Sequence, residues 1–251
     1  RELLVRIGFV RPEDVSTVPQ PPLAATRDHL VRSPHGVRND PYFWLRDDSR
    51  SDPQVLGHLR AENAYYEAVM QPHQPLVAAL YDEMLARIQE NDVSVPVRYR
   101  GYWYWSEQRR GSKYAWHWRR ADRQGSEAEL LLDCNERAGT GEFYQLGGYE
   151  ISPDNRLMAI VEDFVGRRQM QLRIKDLTTG RYLDDLIENV EGSVVWTDDN
   201  RSVLYVEQDP ITLLGRRIRR HVLGTDPASD AVIYEEADES FDLALSRSKS
   251  D

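Results

Sequence analysis

Cysteine is almost absent from this sequence: Cys134 is the only one in 251 residues. A single cysteine excludes an intramolecular disulfide framework and any zinc site built on paired Cys-x-x-Cys motifs. A reducing, cytoplasmic compartment is therefore the expected location. No apolar run approaches the roughly 20 residues that a membrane-spanning helix needs, so no membrane partner is expected. The opening "RELLVRIGFV" lacks the longer apolar core and the cleavage site of a secretory signal.

Basic residues are in the minority. The sequence has 32 Lys and Arg against 42 Asp and Glu, which gives a formal net charge of −10. A surface that binds nucleic acid normally needs a basic excess, so no nucleic-acid partner is expected. The arginines at 216–220 and the aromatic run at 102–118 alternate between strand faces, which favours packing between sheets over a nucleic-acid surface.

Motifs that carry chemistry are missing as well. No serine stands in a Gly-x-Ser-x-Gly elbow, because Ser112 and Ser193 each follow a glycine but lack the rest of the pattern. The six histidines have no zinc-helix spacing, and structural or surface roles are expected for them. We therefore expect no catalytic residue, no metal and no cofactor in this chain.

The first 91 residues indicate an extended arm followed by two helices. Five prolines within the first 34 residues exclude a long helix there. Asp52 is placed to cap, and Pro53 to open, a helix that ends near Met70. A second helix is predicted over Pro75–Gln89, where apolar residues recur at every fourth position. The pattern predicts an amphipathic helical pair that lies on a larger body.

Beyond residue 91 the pattern changes to short strands rich in aromatic and β-branched residues, with no helix between them. The triplet at Asp154 recurs 45 residues later at Asp199, as Asp-Asn-Arg in both places, and a looser copy centres on Gly101. Repeats of this length with three or four strands are typical of β-propeller blades, which stack to bury each other's faces. Three blades over residues 93–238 and the start of a fourth at Phe241 are predicted.

The predicted fold is therefore mainly β with an α-helical N-terminal segment. Residues 1–91 form the arm and the helical pair, and residues 92–251 form a partial β-propeller of about three blades. Three blades are too few to close a ring of four to eight.

Five stretches, in this order, resemble one family: "RNDPYFWLRDDSR", "AENAYYEAVM", "EFYQLGGYEISPDNRLMAIVEDFVGRRQ", "TLLGRRIRRHVLGT" and "IYEEADESF". They are similar to the N-terminal part of oligopeptidase B enzymes, in the prolyl oligopeptidase family of serine peptidases. The resemblance implies a seven-bladed propeller that caps an α/β-hydrolase catalytic domain, and an N-terminal segment that packs on that domain. It also implies cleavage of short peptides after Arg or Lys, with access limited by size. The Ser, Asp and His of the catalytic triad would lie in a catalytic domain absent from this chain, which alone would be inactive.

Five charged residues are candidates for contacts between domains. Glu162 and Asp163 are adjacent in a strand, so their side chains point to opposite faces and cannot share a proton. Either one faces a neighbouring strand and the other faces solvent, or one pairs with Arg167 or Arg168 across the next loop. The resemblance places Glu142 and Arg168 near the surface that meets the catalytic domain. Without it, both would be solvated loop charges.

The motif "WLRDDSR" is the other charged candidate. We expect Trp44 to be buried, and Arg46, Asp47 and Asp48 to anchor the arm to the rest of the protein. The acidic pair could instead attract a basic substrate. An alternative function for the whole chain is that of a non-enzymatic interaction module, which would bind a protein partner along the open edge of a blade.

Overall fold

The structure is a computed structural model that describes residues 19–248. The described residues form two compact units, which divide after Ile88. The first unit holds a β-hairpin and two helices. Its elements are β1 (Leu30–Ser33), β2 (Gly36–Asn39), a 3-10 turn (Phe43–Leu45), α1 (Pro53–Met70), a 3-10 turn (Gln71–His73) and α2 (Gln74–Ala86).

Helix α1 has the predicted bounds because its start is encoded locally. The Asp52 carboxylate accepts hydrogen bonds from the amides of Gln54 and Val55, and Pro53 occupies the first turn, where no amide hydrogen is needed. The prediction for α2 ran three residues too far, since the helix ends at Ala86. None of the helices in residues 19–248 is long and apolar enough to cross a membrane.

The second unit is built from two antiparallel sheets. The first sheet contains β3 (Asp92–Val93), β4 (Val97–Tyr99), β5 (Tyr102–Gln108), β6 (Trp116–Ala121) and β7 (Ala128–Asp133). The second runs in sequence order from β8 to β14 and contains β8 (Gln145–Ile151), β9 (Leu157–Asp163), β10 (Met170–Asp176), β11 (Tyr182–Trp196), β12 (Ser202–Gln208), β13 (Gly215–Val222) and β14 (Ala231–Glu235).

Strand β11 joins two blades within the seven-stranded sheet. Its first part pairs with β10, its last part pairs with β12, and the register shifts between Val190 and Val194. One strand is therefore the outer strand of one blade and the inner strand of the next. Together with the five-stranded sheet this gives three blades, which confirms the predicted partial propeller.

The core lies between the blades. In β9, Met158 and Ile160 pack into one buried cluster, whereas Ala159 and Val161 pack into another. Successive side chains of a strand point to opposite faces, so both faces of this blade are covered. The continuous apolar run "LMAIV" follows from that double burial.

The repeated triplets form equivalent turns. Asn155 and Asn200 adopt left-handed backbone conformations, with φ of 63° and 58°, which asparagine tolerates better than most residues. In each turn the preceding aspartate, Asp154 or Asp199, accepts the amide of the residue that follows the asparagine. The repeated triplet therefore encodes the same backbone conformation and the same side-chain hydrogen bond in both turns.

The prediction that no helix interrupts the strands is wrong. A short helix α3 (Cys134–Ala138) separates β7 from β8, and the Asp133 carboxylate caps it by accepting the amides of Asn135 and Glu136. Five residues are too few to show a helical period. Strand β8 and the first half of β11 were also not predicted as strands.

Candidate functional site

Glu162 is fully buried at the end of β9, and its carboxylate has three donors. Nε and Nη2 of Arg137 lie 2.9 and 2.7 Å from its two oxygens, and the Tyr144 hydroxyl donates over 2.9 Å. Both sequence interpretations of the acidic pair are wrong. Neither side chain faces solvent, since Asp163 is 1% exposed. The cation that pairs with Glu162 is Arg137, not Arg167 or Arg168.

The Arg137–Glu162 pair joins two blades. Arg137 lies on α3, after the first blade, and Glu162 lies in the second. The two-pronged contact compensates for taking the carboxylate out of water. Glu162 raises the pKa of the Arg137 guanidinium, so the arginine stays charged. Burial and then Glu162 raise the pKa of Tyr144, so its hydroxyl keeps the proton that it donates.

Asp163 closes the loop that follows β9. Its two oxygens accept the amides of Val165, Gly166 and Arg168 over 2.8 to 3.0 Å. Asp163 thus does contact Arg168, but through the backbone. Such hydrogen bonds hold a turn in which Arg168 has a φ of 58°. The role of Asp163 in this structure is to shape the loop.

The remaining interdomain candidates lie at the surface. Glu142 and Arg168 are exposed and Arg167 is half-buried. The carbonyl of Glu142 accepts a hydrogen bond from Lys113 over 3.4 Å. Within residues 19–248, neither Glu142 nor Arg168 forms a side-chain ion pair. Their role at an interdomain surface stays a prediction.

The arm-anchoring candidates order the segment that precedes α1. The half-buried Trp44 donates its indole hydrogen to the Ala25 carbonyl over 2.7 Å. Asp47 binds the Ser49 hydroxyl and three nearby amides, and these hydrogen bonds, led by that of Ser49, lower its pKa to about 2. Arg46 and Asp48 form an exposed pair over 3.3 Å. Anchoring beyond this unit stays a prediction.

Contacts between the repeated turns also link the blades. The Asn155 side chain donates to the carbonyl of Arg100, in the corresponding turn of the blade before it, over 3.2 Å. The side-chain oxygen of Asn200 also reaches the blade before its own, but as an acceptor, from the Asp154 amide over 2.9 Å. The turn asparagines therefore have a second function beyond backbone shape, which the 45-residue repeat could have suggested.

An inner cleft of about 770 Å³ lies where strands of successive blades converge. It is bounded by β4, β8, the end of β11 and the segment 245–248. The polar and aromatic lining includes Tyr99, Tyr104, Tyr149, Glu150, Ser193 and Arg247. The volume is in the range that holds small ligands or part of a peptide. Of these residues, the sequence singles out only Ser193 and, within the aromatic run at 102–118, Tyr104.

Close backbone approach sets the width of the cleft at one end. A Cβ atom on Gly148 would lie 2.7 Å from the carbonyl oxygen of Gly192, and both glycines line the cleft. Only glycine lets β8 and the bend in β11 come this close. The two inner strands are thereby held together beside Glu150.

Among the described residues that line the inner cleft, Glu150 is the only acidic one. Its backbone carbonyl accepts the Trp196 indole over 2.9 Å. Its carboxylate keeps solvent contact through the cleft, yet surrounding protein atoms remove enough water to raise its pKa. Arg100 and Arg247 act in the opposite direction and do not cancel the effect of burial.

A second buried polar cluster surrounds His221. Its ring nitrogens lie 2.8 Å from Asp230 Oδ1 and 2.8 Å from Asp185 Oδ1. Tyr205 donates to Asp230 over 2.9 Å, and the Gly224 amide donates to Asp185 over 2.6 Å. These bonds tie β11, β12 and β13 to the segment before β14. The cluster agrees with a structural role for this histidine.

The arginine-rich strand β13 does not present a basic surface. Glu207 pairs with both Arg217 and Arg219, over 3.2 and 3.0 Å. Arg216 pairs with Glu239, 3.1 Å away. Among residues 19–248, no group of three or more His, Cys, Asp or Glu side chains is arranged to hold a metal ion.

Comparison with known proteins gives one consistent family. Residues 22–251 match the model of the prolyl oligopeptidase N-terminal β-propeller domain. Dipeptidyl aminopeptidase BI from Pseudoxanthomonas mexicana is 45% identical, over 92% of this chain and 34% of that protein. Protease 2 from Moraxella lacunata is 33% identical, over 86% of this chain and 32% of that protein.

Solved structures agree. Oligopeptidase B from Leishmania major superposes with a TM-score of 0.78 at 29% identity, over 87% of this chain and 33% of that one. Oligopeptidase B from Trypanosoma brucei, solved in a closed form with covalently bound antipain, has a TM-score of 0.77 at 29% identity over the same shares. The chain spans about a third of the length of these relatives. It therefore belongs to the prolyl oligopeptidase family, and residues 22–251 correspond to the N-terminal β-propeller domain.

Proposed function

We propose that this chain is the N-terminal, non-catalytic part of a serine oligopeptidase that hydrolyses short peptides after Arg or Lys. The propeller would limit access to the catalytic groups by size. The observation that carries this proposal is the stacking of three blades with their inner strands around a common cleft. That geometry supports a narrow passage beside the propeller axis, too small for a folded protein.

The catalytic groups would come from an α/β-hydrolase domain elsewhere in the protein. An apolar row on α2 supports such a partner, since Leu76, Leu80 and Met84 are between 47% and 60% exposed. A row of this kind at helical spacing is favourable only when another surface covers it. Glu142 and Arg168, both exposed, are the residues we propose to meet that domain and to bias its closure.

The chemistry would be acyl transfer through a covalent intermediate. A serine, activated by a histidine, attacks the scissile carbonyl, and an oxyanion hole holds the resulting negative charge. Covalent antipain in the Trypanosoma brucei relative supports covalent chemistry for the family. This chain would contribute exclusion of large substrates and part of the cavity wall. No step of the reaction needs one of its own side chains as acid, base or nucleophile.

Removal of dipeptides from a free amino terminus is a second candidate activity. It is supported by the relative with 45% identity, which is named a dipeptidyl aminopeptidase. The two activities differ in one requirement. An endopeptidase accepts a peptide with a blocked amino terminus, whereas a dipeptidyl aminopeptidase needs the free amine.

Active-site labelling tests the proposal. The 251-residue chain and the longer protein that contains it are treated with a fluorophosphonate probe and assayed on matched Arg-containing chromogenic peptides, one acetylated and one free. We expect label and turnover only for the longer protein. Turnover by the 251-residue chain would contradict the non-catalytic role, and an unlabelled, inactive longer protein would favour the interaction-module rival. Cleavage of the free peptide alone would select the aminopeptidase activity.

A further inference from the structure

Of the described residues that line the inner cleft, one is acidic and three are tyrosines. Tyr99, Tyr104 and Tyr149 form much of the wall, and Glu150 lies next to Tyr149 on β8. Aromatic faces attract cations because of their quadrupole, and a carboxylate attracts them by charge. The wall is therefore chemically suited to an ammonium or guanidinium group.

Glu150 also lacks a partner for its charge within residues 19–248. Glu150 is exposed to solvent within the cleft, whereas the buried Glu162 is bonded by three donors. In the described part of the chain, no hydrogen bond or ion pair reaches the Glu150 carboxylate, although nearby protein atoms displace part of its water. A cationic hydrogen-bond donor that binds there compensates the carboxylate for the hydration that it has lost.

The charged groups around Glu150 are consistent with this role. Arg247 lines the same cleft, but Asp198 and the Trp196 carbonyl bind its guanidinium. Arg100 lies over the Tyr99 ring at 5.0 Å. Both arginines are near enough to lower the pKa of Glu150 by their charge, but among residues 19–248 neither is seen in an ion pair with its carboxylate.

We propose that Glu150 binds a cationic group of the peptide substrate, either its terminal ammonium or a basic side chain, inside the inner cleft. This rests on the proposed peptidase function and goes beyond it, because it gives the propeller a part in substrate selection as well as in size exclusion. Glu150 is a recognition residue here and takes no part in bond cleavage.

The test uses the longer protein and four fluorogenic peptides of equal length. They share one cleavage site and combine a free or acetylated amino terminus with Arg or citrulline at a position upstream of that site. Glu150→Gln removes the charge and keeps the shape. For peptides that carry the recognised cation we expect KM to rise about 5- to 10-fold with kcat within twofold. This is less than the roughly 10- to 150-fold of a charge-assisted hydrogen bond, because Glu150 is exposed to solvent.

The four peptides distinguish the two sources of positive charge. An effect confined to free amino termini identifies the ammonium, and one confined to Arg identifies the side chain. Either result supports the site. An unchanged KM for all four peptides, or an equal rise for all four, overturns it.

Matched variants separate recognition from general damage. Glu188→Gln changes an exposed carboxylate on β11 that does not line the cleft, so kinetics should not change. Glu150→Asp should restore part of the preference for the cation. Partial desolvation by surrounding protein atoms raises the pKa of Glu150. The preference of the wild-type protein for cationic peptides should therefore be lost on acidification at a higher pH than with an ordinary glutamate. Glu150→Gln should show no such pH dependence. If the wild-type longer protein cleaves no peptide, the proposed function fails; if it cleaves and Glu150→Gln has no effect, only this inference fails.

Discussion

Replacing Arg137 by methionine should remove a large part of the stability of the propeller unit. The substitution keeps an apolar stem but leaves the Glu162 carboxylate buried with only the Tyr144 hydroxyl as a side-chain donor. Breaking a buried pair from one side costs about 3–5 kcal/mol. We expect the lower end, about 3 kcal/mol, because the Arg137 side chain is 23% exposed and water can reach the vacated space.

Urea unfolding of the 251-residue chain, followed by fluorescence and circular dichroism, measures this loss. With a slope of about 2 kcal/mol per molar urea, 3 kcal/mol lowers the midpoint by about 1.5 M. Arg98→Met is the control, since Arg98 pairs with Asp122 at the surface and such pairs contribute about 0–1 kcal/mol. Adding Glu162→Gln to Arg137→Met should recover part of the loss, because the orphaned charge is gone. A loss no larger than that of Arg98→Met, or no recovery in the double variant, would refute the reasoning.

Three further outcomes follow from single sites. Gly148→Ala should destabilise the chain by about 1–3 kcal/mol in the same urea assay, because its Cβ would lie 2.7 Å from the Gly192 carbonyl oxygen. Gly57→Ala, in helix α1 with open space around it, should instead stabilise the chain by about 0.5–1 kcal/mol. Equal effects of the two substitutions would contradict the close approach at Gly148. Cys134 should resist alkylation by iodoacetamide at pH 8 in the folded chain. Burial raises the pKa of its thiol to about 11, so roughly one molecule in 10³ carries the reactive thiolate. Alkylation of the folded chain as fast as that of the chain unfolded in urea would contradict this. At neutral pH, Asp47→Asn should speed hydrogen exchange of the backbone amides that the Asp47 carboxylate binds. The pKa of Asp47 in the folded chain is lowered to about 2, so the difference in exchange rate between wild type and variant should shrink as pH falls from 4 towards 2. A difference that persists at pH 2 would exclude the carboxylate as its cause.

Local signals made part of this fold predictable. The Asp52–Pro53 pair defines a helix start by itself, and the Asp-Asn-Arg triplets define two equivalent turns because asparagine accepts the left-handed backbone they need. Both signals lie within a few neighbouring residues. Helix α3 was missed because five residues show no period, and β8 was missed because its glycines at 147 and 148 do not resemble a strand.

The candidate site was much less predictable, since its contacts join distant positions. Arg137 and Glu162 are 25 residues apart, and His221 and Asp185 are 36 apart. Nothing in the sequence near Glu162 marks Arg137 as its partner, and the sequence alone favours the nearer Arg167 or Arg168. Glu150 is ordinary in sequence and becomes a candidate only when three blades converge around it. Pairings of this kind depend on how blades stack.

Dependence of cleavage on substrate size tests the central claim most directly. The longer protein is assayed on one cleavable Arg-containing sequence presented as a short peptide, as a series of longer peptides and as an exposed loop of a folded protein. The account predicts that kcat/KM falls steeply with length and that the folded protein is not cleaved. Equal cleavage of the peptide and of the folded loop would contradict a propeller that limits access.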